Sequence, residues 1–229
     1  MKRSDLRHYI RVLADELTEA PEGLMADEDL NILMDISQNN VALRLAPSLP
    51  NKFLENTTFS TVANQGVYNI ETDIGITDCL AISDILHNLS GKNPLPLIFV
   101  EDIDDKYQYG AIGETGVMRY WGYESKSEIW IMKVPASAEA DRFKVYHIKE
   151  RTDMADDDAA PDLPKSAHVL VAYDVLYQWA MRGGGNVKTV EAIYQKAQDE
   201  VIDLLKQNFS IRTGMKPSVK ELIKRGGIE

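Results

Sequence analysis

Residues 156–186 read DDDAAPDLPKSAHVLVAYDVLYQWAMRGGGN. Three consecutive acids and two prolines lead into a segment, 165–182, that is apolar nearly all the way round a helical wheel. Asp174, Gln178 and Arg182 fall on one narrow polar line. Val169, Leu170, Val171, Ala172, Tyr173, Val175, Leu176, Tyr177, Trp179, Ala180 and Met181 occupy the rest. A helix in a two-layer domain needs an apolar stripe of roughly 100°. Each large side chain fully buried contributes on the order of 1.5–3 kcal/mol, so the surplus face is expected to be covered. Two coverings are compatible: the helix is central in its own bundle, and part of it meets a neighbouring subunit. Val169, Tyr173, Leu176, Tyr177, Trp179 and Arg182 are the candidates for this core and subunit-boundary role. Tyr173, Tyr177 and Trp179 suit an interface because each pairs apolar area with a polar tip. The glycines at 183–185 end the helix, since glycine tolerates a left-handed cap. Asn186 caps the next helix, about 187–208, whose stripe is Val190, Ile193, Tyr194, Ala197, Val201, Leu204 and Leu205.

The N-terminal part is also helical. Leu6, Tyr9, Ile10, Leu13 and Leu17 recur at helical spacing over 4–17, with Ser4 as N-cap. A second helix is expected over 27–45, capped by Asp27. Leu30, Leu33, Met34, Val41 and Leu45 form one stripe, and Ile32, Ile36 and Leu43 a second flank. Pro47 and Pro50 end it. Between the two helical parts, residues 53–148 use short β-branched and aromatic runs such as TTFSTV, CLAISDIL, EIWIMKV and RFKVYHI, divided by Gly, Asn and Pro. The segment around Asp102 has the pattern of a short helix. The fold class is therefore α+β: a helical bundle from both ends of the chain (1–50 and 165–208), an antiparallel β-rich insertion (53–150), an acidic loop (151–164) and an extended C-terminal tail (211–229).

Composition narrows the function. The net charge is −11, which favours solubility and repels nucleic acid. Cys79 is the single cysteine, so no internal disulfide forms. No run of eighteen apolar residues spans a membrane, and the first residues lack the apolar region of a secretory leader. The four histidines are scattered, with no HExxH, CxxC, Walker A or GxSxG pattern. Gly110, Gly113 and Gly116 are not spaced as a dinucleotide fingerprint. An EF-hand starting at Asp102 needs Gly at its sixth position and Glu at its twelfth. Tyr107 and Gly113 stand there instead. The acids at 101–105 and 156–158 read as solvated loops. A carboxylate-dependent hydrolase would need Asp102, Asp104 or Asp156 in one cleft. No catalytic residue, metal or cofactor is expected.

The tail carries the local positive excess. Ser218 and Glu221 form a capping box for a short helix whose face is Val219, Leu222 and Ile223. Such a helix is well below the roughly 12–15 residues needed for marginal stability alone. Such a tail is either a frayed end or a segment that folds on a partner; in the second reading the contacts are Arg212, Met215, Lys216, Val219, Lys220, Leu222, Ile223, Lys224 and Arg225.

Taken together, the chain resembles the head–tail adaptor (connector, or neck) proteins of tailed bacteriophages. The resemblance covers about residues 27–208. It rests on DISQNNVAL at 35–43, TTFSTVANQGVYNI at 57–70, Val134-Pro135 before the strand at 143–146, and the acidic loop, long helix, glycine turn and charged helix of 156–205. The chain departs from the family pattern at Glu71-Thr72, where a proline is usual. The resemblance implies a structural virion protein made in the host cytoplasm. Such adaptors form a homo-oligomeric ring, commonly of about twelve copies, beneath the portal. The C-terminal segment docks on the portal protein, tail or neck proteins bind the other side, and genomic DNA passes through without specific binding. Another virion ring, such as a tail terminator or tail-completion protein, is the alternative.

Overall fold

The structure, a computed structural model, describes residues 1–17, 26–88, 93–101, 118–184 and 186–213, with only the backbone for 16, 17, 183, 184 and 208–213. The chain divides into two compact units, Met1–Lys52 with Arg151–Glu229, and Phe53–Glu150.

The first unit is a helical bundle. Its elements are α1 (Arg3–Leu17), α2 (Asp27–Leu45) and the one-turn α3 (Pro50–Phe53), then α4 (His168–Trp179) and α5 (Val187–Thr213). α4 packs against α1, α2 and α5, so it is the central helix. Leu170, Val171, Ala172, Val175 and Leu176 are each at most 1% exposed. The helices that α4 packs against bury Leu6 and Ile10 on α1, Leu30, Met34 and Val41 on α2, and Val190, Tyr194 and Val201 on α5. A helix with neighbours on three sides needs apolar residues on three sides. That accounts for the composition of 165–182.

Several local expectations are corrected. Ser4 lies inside α1 rather than at its cap. The first N–H groups of α1 are taken by the acidic loop, Arg3 N–H donating to Ala159 O at 2.8 Å and Ser4 N–H to Asp157 O at 3.2 Å. Asp27 is the first residue of α2 and makes no cap bond; Ala26 holds the cap position. Its carboxylate is turned to Arg11 and Arg7. Pro50 opens α3 instead of closing α2, the first helical turn being where a missing N–H costs nothing. Asn186 does cap α5, its Oδ1 accepting from Thr189 N–H at 3.3 Å. α4 passes into a π-helical turn, Ala180–Gly184, before the chain reverses. On α5, Leu204 is not in the stripe: it is exposed, and Ile202 takes the buried place.

The second unit holds two four-stranded sheets rather than one layer. One has the order β1 (Leu54–Phe59), β8 (Phe143–Lys149), β3 (Cys79–His87), β4 (Leu95–Pro96). The other has β2 (Val67–Asn69), β7 (Glu128–Met132), β6 (Tyr120–Ser125), β5 (Ile98–Phe99). Pairing is antiparallel except between β5 and β6. Phe59, Ile85, Phe143 and Val145 of the first sheet share a core with Tyr68, Trp121, Ile129 and Ile131 of the second. The bulge between Ile82 and Asp84 falls where Ile82 N–H donates to Tyr123 Oη at 2.7 Å, from a strand of the other sheet. Gly122 is required by contact: a Cβ there would sit 2.5 Å from the Val100 carbonyl oxygen and 2.6 Å from the Trp130 ring. At Glu71-Thr72 the chain turns after Asn69, whose Oδ1 accepts from both N–H groups at 3.0 Å. The Asx turn does there what a proline does elsewhere. The segment around Asp102 and the three spaced glycines lie outside the described residues.

His87, His147 and His168 are buried. Burial holds each imidazole below its ordinary value of 6.5, with Arg142 adding to the effect at His87. His168 Nε2–H donates to Leu163 O at 3.0 Å. The unfolded chain therefore takes up protons first as pH falls. Stability is full above about 6.5 and is lost as pH drops toward the folded values. Urea midpoints measured from pH 7.5 to 5 should decline below about 6.5, and His168→Gln should flatten part of that decline. A profile level to pH 5 would contradict the assignment.

Candidate functional site

The middle of α2 carries DISQNN, six residues of which five are polar. Ser, Asn and Asp compete with the helical backbone for hydrogen bonds, so a helix interior disfavours them unless each has a partner. Here each has one. Asp35 Oδ2 accepts from Arg3 Nη2 at 2.8 Å and Oδ1 from Met154 N–H at 3.0 Å. Ser37 Oγ accepts from Gln178 at 2.9 Å. Gln38 donates to Thr152 O at 2.9 Å and accepts from Asp162 N–H at 3.1 Å. Asn39 accepts from Arg151 N–H at 2.7 Å, and Asn40 donates to Asp174 at 3.0 Å. The sixth, Ile36, points to solvent. The face binds the returning segment 151–164 and α4 to α2.

α1 contributes the cations. Arg3, Arg7 and Arg11 are spaced one turn apart. Arg3 is buried and also donates to the carbonyl of Met154 and to Asn31 O. Arg7 pairs with Asp157 at 2.6 Å, and Lys2 with Asp158 at 2.7 Å. Asp156 Oδ1 accepts from Asp158 and Ala159 N–H. The acids at 156–158 are exposed, as expected of a solvated loop, and Asp157 and Asp158 also pair with Arg7 and Lys2 while Asp156 closes a turn. The Lys2 and Arg11 partners hold the Asp158 and Asp27 carboxyls below the usual range.

Asp174 is a further correction. It is 1% exposed, not part of a wet line. Asn40 and Gln178 donate to it, the latter at 2.8 Å, and Arg44 Nε lies 3.9 Å away. The Arg44 guanidinium stacks over Tyr194 at 4.7 Å and Tyr177 at 5.6 Å. Burial, with Asp174 nearby, pushes the Tyr194 phenol up. This is structural electrostatics, with donors to one carboxylate and no open cleft. Cys79 is half-buried, and burial pushes its thiol up to about 11, so it is not a nucleophile at neutral pH. Among the described residues no group of three His, Cys, Asp or Glu side chains could hold a metal ion, and no helix is long and apolar enough to cross a membrane.

The remaining feature is an exposed apolar surface. Ile32 and Ile36, expected on a second flank of α2, are 60% and 44% exposed. They line a groove with Asp29, Leu33 and Arg182. Met181, beside Arg182 in the chain, is 61% exposed. Of the residues singled out on the opening helix, Leu176 is buried in its own bundle, Val169, Tyr173, Tyr177 and Trp179 are half-buried, and Arg182 is exposed. α5 runs to Thr213, so Arg212 belongs to its backbone rather than to a tail starting at 211. Met215, Lys216, Val219, Lys220, Leu222, Ile223, Lys224 and Arg225 lie outside the described residues.

The Arg3–Asp35 pair is the most consequential polar contact of this unit. Removing Asp35 leaves the buried Arg3 charge and the Met154 N–H without their partner, and removing Arg3 leaves the Asp35 carboxylate and the Met154 carbonyl without theirs. Arg3→Ala and Asp35→Ala should each cost about 2–4 kcal/mol, and the double variant clearly less than their sum. Urea unfolding of the four chains measures this, and strict additivity would contradict it.

The SU10 adaptor protein family model matches residues 1–216. The match takes in the DISQNN face, the inserted sheets and the whole of α4 and α5. No curated protein matches the chain. With a match over nearly its full length, the chain belongs to the SU10 adaptor protein family, a family of phage head–tail adaptors.

Proposed function

We propose that the chain is a structural virion protein that assembles as a ring between the portal and the tail and extends the channel for DNA. The family match over residues 1–216 carries this reading. Two physical features support it. The helical unit satisfies its own core and still exposes Ile32, Ile36, Met181 and Leu204, more apolar surface on one bundle than its own packing needs. The net charge of −11 suits a channel wall that phosphates do not grip. In this reading the chain acts by binding, and its buried Arg3, Gln38 and His168 hold its own backbone.

In this reading Arg182 and the half-buried Tyr173, Tyr177 and Trp179 sit toward the subunit boundary, with Leu176 inside. The basic, apolar-faced tail, from Arg212 and Met215 to Arg225, docks on the portal. Ordering each tail residue costs on the order of 1–2 kcal/mol of backbone entropy, so contact with the portal is what makes the docked form stable. Tail or neck proteins take the opposite side, and the ring holds about twelve copies to match a portal of cyclic symmetry.

Co-sedimentation with the cognate portal ring tests this, comparing the full chain with one ending after Phe209. The full chain should sediment in a fixed ring stoichiometry and the shortened chain should lose most of its binding. Equal binding of both moves the docking surface into the bundle. Binding by neither contradicts the portal assignment and favours a ring further down the tail.

A further inference from the structure

The groove is lined by Ile32, Leu33 and Ile36, with the carboxylate of Asp29 and the guanidinium of Arg182 also on its wall. Arg182 is exposed and makes no ion pair among the described residues. A free guanidinium beside uncovered isoleucines, on a chain of net charge −11, calls for an occupant that presents an apolar side chain beside acids. α5 presents that. Leu204 is 50% exposed. Asp203 precedes it, and Glu200 stands one turn back on the same surface. Both acids are exposed and make no ion pair among the described residues.

The two patches lie at opposite ends of the bundle. Contacts from Asn40 to Asp174, from Ser37 to Gln178 and from Ile36 to Arg182 show α4 running antiparallel to α2, so the groove is at the N-terminal end of α2. Leu205 shares a different groove with Leu49, just past the C-terminal end of α2. At 1.5 Å per residue, the span along α2 from Ile32 to its end at Leu45 is already about 20 Å. No single molecule can place its own Leu204 in its own groove.

We propose that the groove of one subunit receives Leu204 of a second copy, with Arg182 facing Glu200 and Asp203. A patch and its complement on different parts of one surface make a heterologous contact. Such contacts propagate from copy to copy and close into a ring when the rotation permits. The inference rests on the ring reading and specifies its contact. Between chains that repel one another overall, one cation meeting two acids supplies the local attraction that also sets orientation.

The test uses full-length chains carrying Cys79→Ser, with Ile36→Cys on one and Leu204→Cys on another, differing in mass by a tag. They are mixed, bound to the portal, and treated with a short bis-maleimide. A mixed cross-linked dimer should form, with no homodimer from either chain alone. The chain carrying both cysteines should give a ladder. Arg182→Glu should reduce ring yield by about tenfold or more, and adding Glu200→Lys with Asp203→Lys should restore it. Homodimers through Ile36→Cys, or a full ring on the portal without the mixed product, overturn the inference while leaving the ring reading intact. If the chains do not sediment with the portal, the ring reading is what fails. The mixed product is then sought with the chain alone at high concentration, where its absence overturns the inference too.

Discussion

Everything in the helical unit depends on how the chain returns from its insertion. Residues 151–164 have no helix or strand of their own, yet they run against buried helix surface. Backbone groups placed there without partners cost on the order of 1–3 kcal/mol each. α2 supplies the partners from side chains: Asn39 for Arg151, Gln38 for Thr152 and Asp162, Asp35 for Met154. Arg3 closes the arrangement by holding Asp35 and the Met154 carbonyl at once. Two chain segments separated by the whole of Phe53–Glu150 are thereby registered to one another. α4 can then enter between α1, α2 and α5 at a fixed depth.

That register also sets what stays outside. Ser37 and Gln38 are buried on α2 with Leu30, Leu33, Met34 and Val41, and the face through Ile32 and Ile36 is left outward. The same logic on α5 buries Val201, Ile202 and Leu205 and leaves Leu204 exposed. The exposed apolar residues follow from helical geometry once the polar contacts are satisfied. A protein built for assembly can keep a settled monomer in this way and still hold surface for neighbours. The acidic segment 156–158 is tied to α1 by surface ion pairs.

The sequence disclosed the helices and the strand positions well. Apolar periodicity marks α1 and α5, and β8 alternates along most of its length, whereas β7, expected to alternate, is buried on both faces from Ile129 to Met132. It disclosed the position of α4 for a physical reason: an all-round apolar helix has few places to go. It did not disclose the partners of the polar residues. Asp174 lines up with Gln178 and Arg182 on a wheel, and a wheel does not show that α2 brings Asn40 to meet it. Ser4 and Asp27 look like caps from local sequence, while a carbonyl from Asp157 and a guanidinium from Arg11 decided otherwise across long chain separations. Leu204 and Ile202 differ by two residues on one helix, and only packing separates them. The signal that was available is DISQNN itself: five polar side chains in the middle of a helix imply five partners. The division of the β-region into two sheets was hidden because alternation marks faces without saying which strands are neighbours.

Amide hydrogen exchange at Arg151, Met154 and Asp162 tests the central claim most directly, because these N–H groups belong to no helix or ladder. In the native chain all three should exchange far more slowly than exposed amides, approaching the protection of the α4 core. Asn39→Ala should release Arg151 while Asp162 stays protected. Fast exchange at all three in the unaltered chain would mean that the side chains of α2 do not hold the returning segment, and the account of the bundle would be wrong.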